Sequence, residues 1–115
     1  MALYLELPVF KKSYDLLLEL FRIYNDLPKS VKYTFGEKLQ QEIIALVIDI
    51  YKANSRPDKI PSITVARERV EVIRLLVRIL FDIKIIGIKR MVMVNTMIEE
   101  VSKQLAGWQR HCEKS

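Results

Sequence analysis

At 115 residues the chain fits one domain spanning 1–115, and half of its residues are hydrophobic, enough for a core. Three glycines and four prolines leave few turns, which argues against a many-stranded sandwich and for helices joined by short loops. The formal net charge of +5 suits a polyanion or serves solubility alone, and the single cysteine, Cys112, excludes an internal disulfide and fits a reducing compartment.

The first 15 residues, MALYLELPVFKKSYD, place no basic segment ahead of an apolar run, so no signal peptide is expected. The longest apolar candidate, Ile79 to Val94, is broken by Asp82, Lys84, Lys89 and Arg90, so no membrane span is expected either. The expectation is a cytoplasmic protein.

Helix one is predicted from Pro8 or Val9 to about Asp26, since proline suits a first helical turn. Leu16, Leu20, Ile23 and Leu27 line one flank, with Phe10, Leu17, Phe21 and Tyr24 beside them. Lys12, Asp15, Glu19, Arg22 and Asp26 read as the solvated stripe. Leu27-Pro28 stops the helix, because the residue before a proline is pushed out of the helical region. Thr34-Phe35-Gly36-Glu37 has the form of a capping box, which starts helix two near Thr34, with Ser30 as the alternative.

Helix two runs to about Ala53 on a row of Leu39, Ile43, Leu46 and Ile50. Its wet stripe of Lys38, Glu42, Ala45, Asp49 and Lys52 is thin, and Ile44 and Ile48 fall outside the main apolar row. Asn54 to Pro61 reads as the longest loop, after which Ser62 or Thr64 can cap helix three.

Helix three carries two aliphatic rows. Ala66, Val70, Ile73, Val77 and Leu80 form one; Val65, Val72, Leu76, Ile79, Ile83 and Ile86 form the other. A helix on the outside of a lone bundle needs one stripe roughly 100° wide, so the surplus predicts contact with another copy of the chain. Candidate interface residues are Ile44, Ile48, Val72, Ile79 and Ile83, with Ile79 expected to be buried. The charged stripe holds Arg67, Glu71, Arg74, Arg78 and Asp82. Gly87 is expected to close this helix in the left-handed conformation. Helix four, from about Ile88 to His111, repeats Met91, Val94, Ile98, Val101, Leu105 and Trp108 at spacings of three and four.

Short connections make neighbours antiparallel, so the expected fold is all-α, an up-down-up-down four-helix bundle. Its pole at the start of helix one gathers Lys11, Lys12, Lys52, Arg56, Lys59, Arg67, Arg69, Arg110 and Lys114, which favours a polyanion partner.

No catalytic constellation is legible. His111 is the single histidine and cannot share a metal with the adjacent Cys112 from a helix, so neither a metal site nor a cofactor is expected. Gly36, Gly87 and Gly107 are isolated and make no phosphate loop. Glu99-Glu100 points two ways around a helix and reads as surface. Met91, Met93 and Met97 read as core fillers, and Trp108 as a core anchor. Tyr4, Tyr14, Tyr24, Tyr33 and Tyr51 are scattered along the chain, so nucleic-acid contact is expected through phosphates of DNA or RNA.

Leu27-Pro28-Lys29-Ser30, Thr34-Phe35-Gly36-Glu37-Lys38-Leu39-Gln40, Asp82-Ile83-Lys84, Lys89-Arg90, Ile98-Glu99-Glu100-Val101 and Leu105-Ala106-Gly107-Trp108 follow one another in an order that carries a resemblance. The chain resembles the four-helix-bundle family of ribosomal-RNA intervening-sequence proteins and the accessory variability determinant of diversity-generating retroelements. Where the ribosomal branch often has an Asn-Ile-Ala-Glu-Gly-like stretch, Ile50-Tyr51-Lys52-Ala53-Asn54 stands here, which pulls it toward the retroelement branch.

The resemblance implies a non-enzymatic, basic homopentamer that binds nucleic acid and partners a reverse transcriptase. The alternative is a structural or protein-interaction oligomer with no nucleic-acid role. Carried over by residue type alone, Arg67, Arg74, Arg78, Lys84, Lys89 and Arg90 are the candidate nucleic-acid contacts.

Overall fold

The computed structural model describes residues 6–114, and Tyr4 and Ser115 lie outside that range. Four long helices dominate: α1 (Pro8–Asp26), α2 (Glu37–Ser55), α3 (Ile60–Asp82) and α4 (Ile88–Glu113). Each packs on the next, and α4 returns to pack on α1, so the helices form a closed antiparallel ring 46 Å long and about 22 Å across. This is the expected up-down-up-down bundle. Leu16, Leu20 and Ile23 of α1 meet Leu39, Ile43, Leu46 and Ile50 of α2 in the core. Ile73, Val77 and Leu80 of α3 and Val94, Ile98, Val101 and Leu105 of α4 complete it.

The entrance to α2 differs from expectation. Helical backbone begins right after Pro28, with a single α-turn (Lys29–Val31), and then widens into a π-turn (Lys32–Gly36) before α2 proper. No capping box forms: the Thr34 hydroxyl donates to the Val31 carbonyl at 3.2 Å instead of receiving an N–H from Glu37. Thr34 sits inside helical backbone, where such back-bonding is the normal outlet for a hydroxyl. A π-turn inserts a residue and pushes the chain outward. Gly36 makes this possible, since a Cβ there would sit 2.7 Å from Leu27 Cδ1 and 3.2 Å from Tyr24 Cδ1.

The α2–α3 loop is shorter than predicted, Arg56 to Lys59. Neither Ser62 nor Thr64 caps α3; the helix starts at Ile60, Ser62 is buried, and Thr64 donates back to the Ile60 carbonyl. The capping happens on the other side of the loop. Lys59 Nζ donates to the carbonyls of Ala53, Asn54 and Arg56 at 3.1, 3.0 and 2.8 Å, closing the C-terminus of α2 with a cation where the helix dipole favours one.

Gly87 does not close α3. It has φ −82°, extended, and stands as the N-cap of α4. The left-handed residue is Lys84, with φ 66°. Around it Lys84 N–H donates to the Phe81 carbonyl and Ile85 N–H to the Leu80 carbonyl, both at 2.9 Å, the pairing of a Schellman motif. A side chain with a Cβ is disfavoured there, so Lys84→Gly is expected to raise stability by about 0.5–1 kcal/mol, visible as a higher urea midpoint. A fall in the midpoint would mean the lysine side chain is needed by the fold.

Two acids assigned to solvated stripes are buried. Glu19 lies against Arg22 at 2.8 Å and Arg90 at 3.9 Å, and Glu42 lies between Lys38 at 3.0 Å and Arg69 at 3.2 Å. Both stripes face a neighbouring helix as much as water. Met93 is exposed and not a core filler, whereas Met91 is buried and Met97 packs on the core with the half-buried Trp108. Among the described residues no helix is long and apolar enough to cross a membrane.

Candidate nucleic-acid interface

Arginines that read as a free cationic line are largely committed within the protein. Arg74 bonds to Glu99 of α4 and to Glu71 of its own helix. Burial pushes its guanidinium pKa down, but the hydrogen bonds it donates to Glu99 and Glu71, with the negative charge of those carboxylates, outweigh this and hold it above the usual value. Arg78 bonds to Asp82 at 2.9 Å, and Arg67 donates to Gln109 at 2.6 Å. Arg90 clasps α1 through Asp26 at 2.9 Å and Glu19. A groove runs between α3 and α4 as two hollows of about 470 and 450 Å³ that share Glu71 and Arg74. Arginines and carboxylates alternate along it, so it offers a phosphate backbone little net attraction.

At the pole where α1 begins, the expected surplus of cations also shrinks. Lys12 is bonded to Glu100 at 2.7 Å, which raises its pKa. Arg69 reaches across to α2 and holds Asp49 at 2.6 Å and Glu42 at 3.2 Å, and its pKa is raised chiefly by the Asp49 bond. Lys59 is spent on carbonyls, as described above. Glu99 and Glu100 do point two ways, and each pins a different neighbour, Glu99 to α3 and Glu100 to α1.

Of the six predicted contacts, only Lys84 and Lys89 carry charge without a carboxylate or amide partner among the described residues. Both sit at the opposite pole, where the α1–α2 elbow and the α3–α4 turn meet. The Arg90–Asp26 bond and the packing of Tyr24 against Gly36 tie these two connections to one end of the bundle. Lys29 and Lys32 stand at that end too, also without a carboxylate partner; the Lys32 ammonium lies 5.0 Å from the centre of the Tyr24 ring. Of the acids nearby, Asp26 and Asp82 are already bonded to arginines and only Glu37 is left to offset the lysines. Lys29 and Lys32 went unread as site residues because a capping box at Thr34 makes this segment look purely structural. The available signal was the alternation of lysine and aromatic in Lys29-Ser30-Val31-Lys32-Tyr33-Thr34-Phe35.

The predicted interface residues lie on two outward faces. Ile44, Ile48 and Tyr51 are exposed at spacings of four and three on α2, and Tyr14, Leu18 and Phe21 repeat that spacing on α1. At about 100° per residue, each row lies on the flank of its helix away from the ion pairs to α4 and α3, so both lean toward the α1–α2 groove. On α3, Val65, Val72 and Leu75 are exposed, as is Ile83 just past its end. Ile79 falls in the same row, four residues from Leu75 and from Ile83, and is half-buried in the single chain.

Among the described residues no group of His, Cys, Asp and Glu gathers that could hold a metal ion. No curated protein matches the chain. A family model described as bAvd-like matches residues 8–112, all four helices but for the last residue of α4. The chain therefore belongs to the bAvd-like family, as an accessory protein of the Avd type built on a four-helix bundle.

Proposed function

We propose that this protein is a non-enzymatic, self-associating accessory subunit that binds DNA or RNA through phosphates and works with the reverse transcriptase of a diversity-generating retroelement in the cytoplasm. Membership of the bAvd-like family across the whole bundle is the observation that carries this reading. The exposed aliphatic rows support self-association: Ile44 and Ile48 on α2, and Val72 and Leu75 on α3 with Ile83 just past its end, present apolar side chains that a second copy of the chain would cover. A pentamer is the assembly the resemblance implies.

Two measurements test it. Light scattering at micromolar concentration is expected to give about five times the 13.5 kDa protomer mass. Affinity for an oligonucleotide is expected to fall linearly on a log–log plot against salt, because each neutralised phosphate releases a counterion. A monodisperse protomer, or retention on a polyanion column that ignores salt, would refute the corresponding half.

A second reading has an observation of its own. Arg74, Arg78 and Arg90 all bond to carboxylates of the same chain, as they would in a purely structural oligomer. It predicts no nucleic-acid binding at any salt concentration and loss of partner binding when apolar surface is mutated.

A further inference from the structure

Two departures from ordinary helix geometry occur at one end of the bundle. The chain widens into a π-turn at Lys32–Gly36, and it places Lys84, rather than a glycine, in the left-handed conformation. Strained or unusual backbone that a simpler sequence would avoid marks functional sites more often than chance. A glycine at position 84 would close α3 more cheaply, and Gly87 stands only three residues further on. The lysine therefore keeps its costly position for a reason other than the turn.

The π-turn has its own consequence. Gly36 and Val31 face inward, and Lys32 is drawn over the Tyr24 ring. Tyr33, next in the turn, is left pointing outward with 58% of its surface exposed, and Phe35 is also exposed on the flank. This largely exposed tyrosine shares its end of the bundle with Lys29, Lys32, Lys84 and Lys89, none of which has a carboxylate partner among the described residues, and Glu37 is the one acid of these two connections left unpaired there. Flexible cations around an open aromatic face are what an unpaired base with its flanking phosphates requires: the ring stacks on the base and the ammonium groups meet the backbone. A duplex keeps its bases stacked inside and cannot use the ring.

We propose that the pole formed by the α1–α2 elbow and the α3–α4 turn is a single-strand binding site, in which Tyr33 stacks on an unpaired base and Lys29, Lys32, Lys84 and Lys89 hold the adjacent phosphates. This rests on the nucleic-acid reading above and narrows it to single strands and to one end of the bundle.

The test compares a fluorescent dT oligonucleotide with a duplex of equal length, at the same low salt, on the full chain. Wild type is expected to prefer the single strand. Tyr33→Ala is expected to weaken single-strand binding about 5- to 100-fold and to leave duplex binding within twofold, while Tyr33→Phe retains the wild-type affinity. Lys84→Gly is expected to move two readouts in opposite directions: the urea midpoint rises, and the salt slope for the single strand falls by about 0.7. A merely structural Lys84 would raise the midpoint and leave the slope alone.

If Tyr33→Ala binds the single strand as wild type does, or weakens both nucleic acids equally, the stacking site is refuted while the nucleic-acid reading stands. If wild type binds neither oligonucleotide, the broader reading fails and this one with it.

Discussion

Arg69→Ala is expected to destabilise the bundle by about 2–4 kcal/mol in chemical denaturation. Arg69 holds Asp49 at 2.6 Å and Glu42 at 3.2 Å, and both carboxylates are at least 86% covered, with side-chain exposures of 14% and 9%. Removing the guanidinium leaves two poorly hydrated anions facing each other on one flank of α2. Breaking a buried pair typically costs about 3–5 kcal/mol. The lower range applies here because the Arg69 side chain is 32% exposed and Lys38 still reaches Glu42.

Arg69→Lys should recover only part of the loss, since an ammonium cannot present the planar fork that spans two carboxylates. A double-mutant cycle with Glu42→Gln is expected to show a coupling above about 1 kcal/mol; additive effects would mean the network contributes nothing. The Asp49 bond raises the Arg69 pKa, so the arginine's contribution is complete at neutral and moderately alkaline pH. It is lost only as pH rises through that raised value, and alkaline unfolding at milder pH would have to arise elsewhere.

The second large effect separates two α2 residues that differ by two positions. Leu46 is 0% exposed and Ile48 is 46% exposed. Leu46→Ala is expected to cost about 3–5 kcal/mol, the transfer of the lost methyl groups plus the cavity they leave between α2 and its neighbours. Ile48→Asp is expected to leave the folded protomer within about 0.5 kcal/mol, because the new carboxylate points into water. In an assembly that covers Ile48 the same charge would be desolvated, so the variant should sediment as a smaller particle than wild type. A stable Leu46→Ala protein would contradict the bundle, and an Ile48→Asp protein of unchanged mass would remove α2 from any interface. Ile79→Asp belongs with neither: half-buried, it should show an intermediate loss of stability.

The periodicity of the apolar residues was enough to place all four helices, their antiparallel order and most of the core. Leu16, Leu20, Ile43, Leu46, Ile73, Val77, Ile98 and Leu105 all lie in the rows read for them, and all are buried. These are properties of repeat spacing, which a helix carries along its own length. The caps were less legible. Thr34, Ser62 and Thr64 each match a local signature, and each donates elsewhere or is buried, because the residues that end these helices are chosen by packing. Gly36 serves the close approach of Leu27 and Tyr24 rather than a cap.

What the chain determined alone was the number of helices, their inward faces and its family's motifs, since these depend on residues a few positions apart. Only the tertiary structure decided which charges are free. Arg74 meets Glu99 across 25 residues, Arg69 meets Glu42 across 27 and Arg90 meets Asp26 across 64. A cation's availability depends on the carboxylate that folding brings beside it, and Coulomb attraction falls off with distance in space, not along the chain. The charge that stays available is accordingly set by subtraction: Arg74, Arg78 and Arg90 have each found an acid, whereas Lys29, Lys32, Lys84 and Lys89 have no carboxylate partner among the described residues.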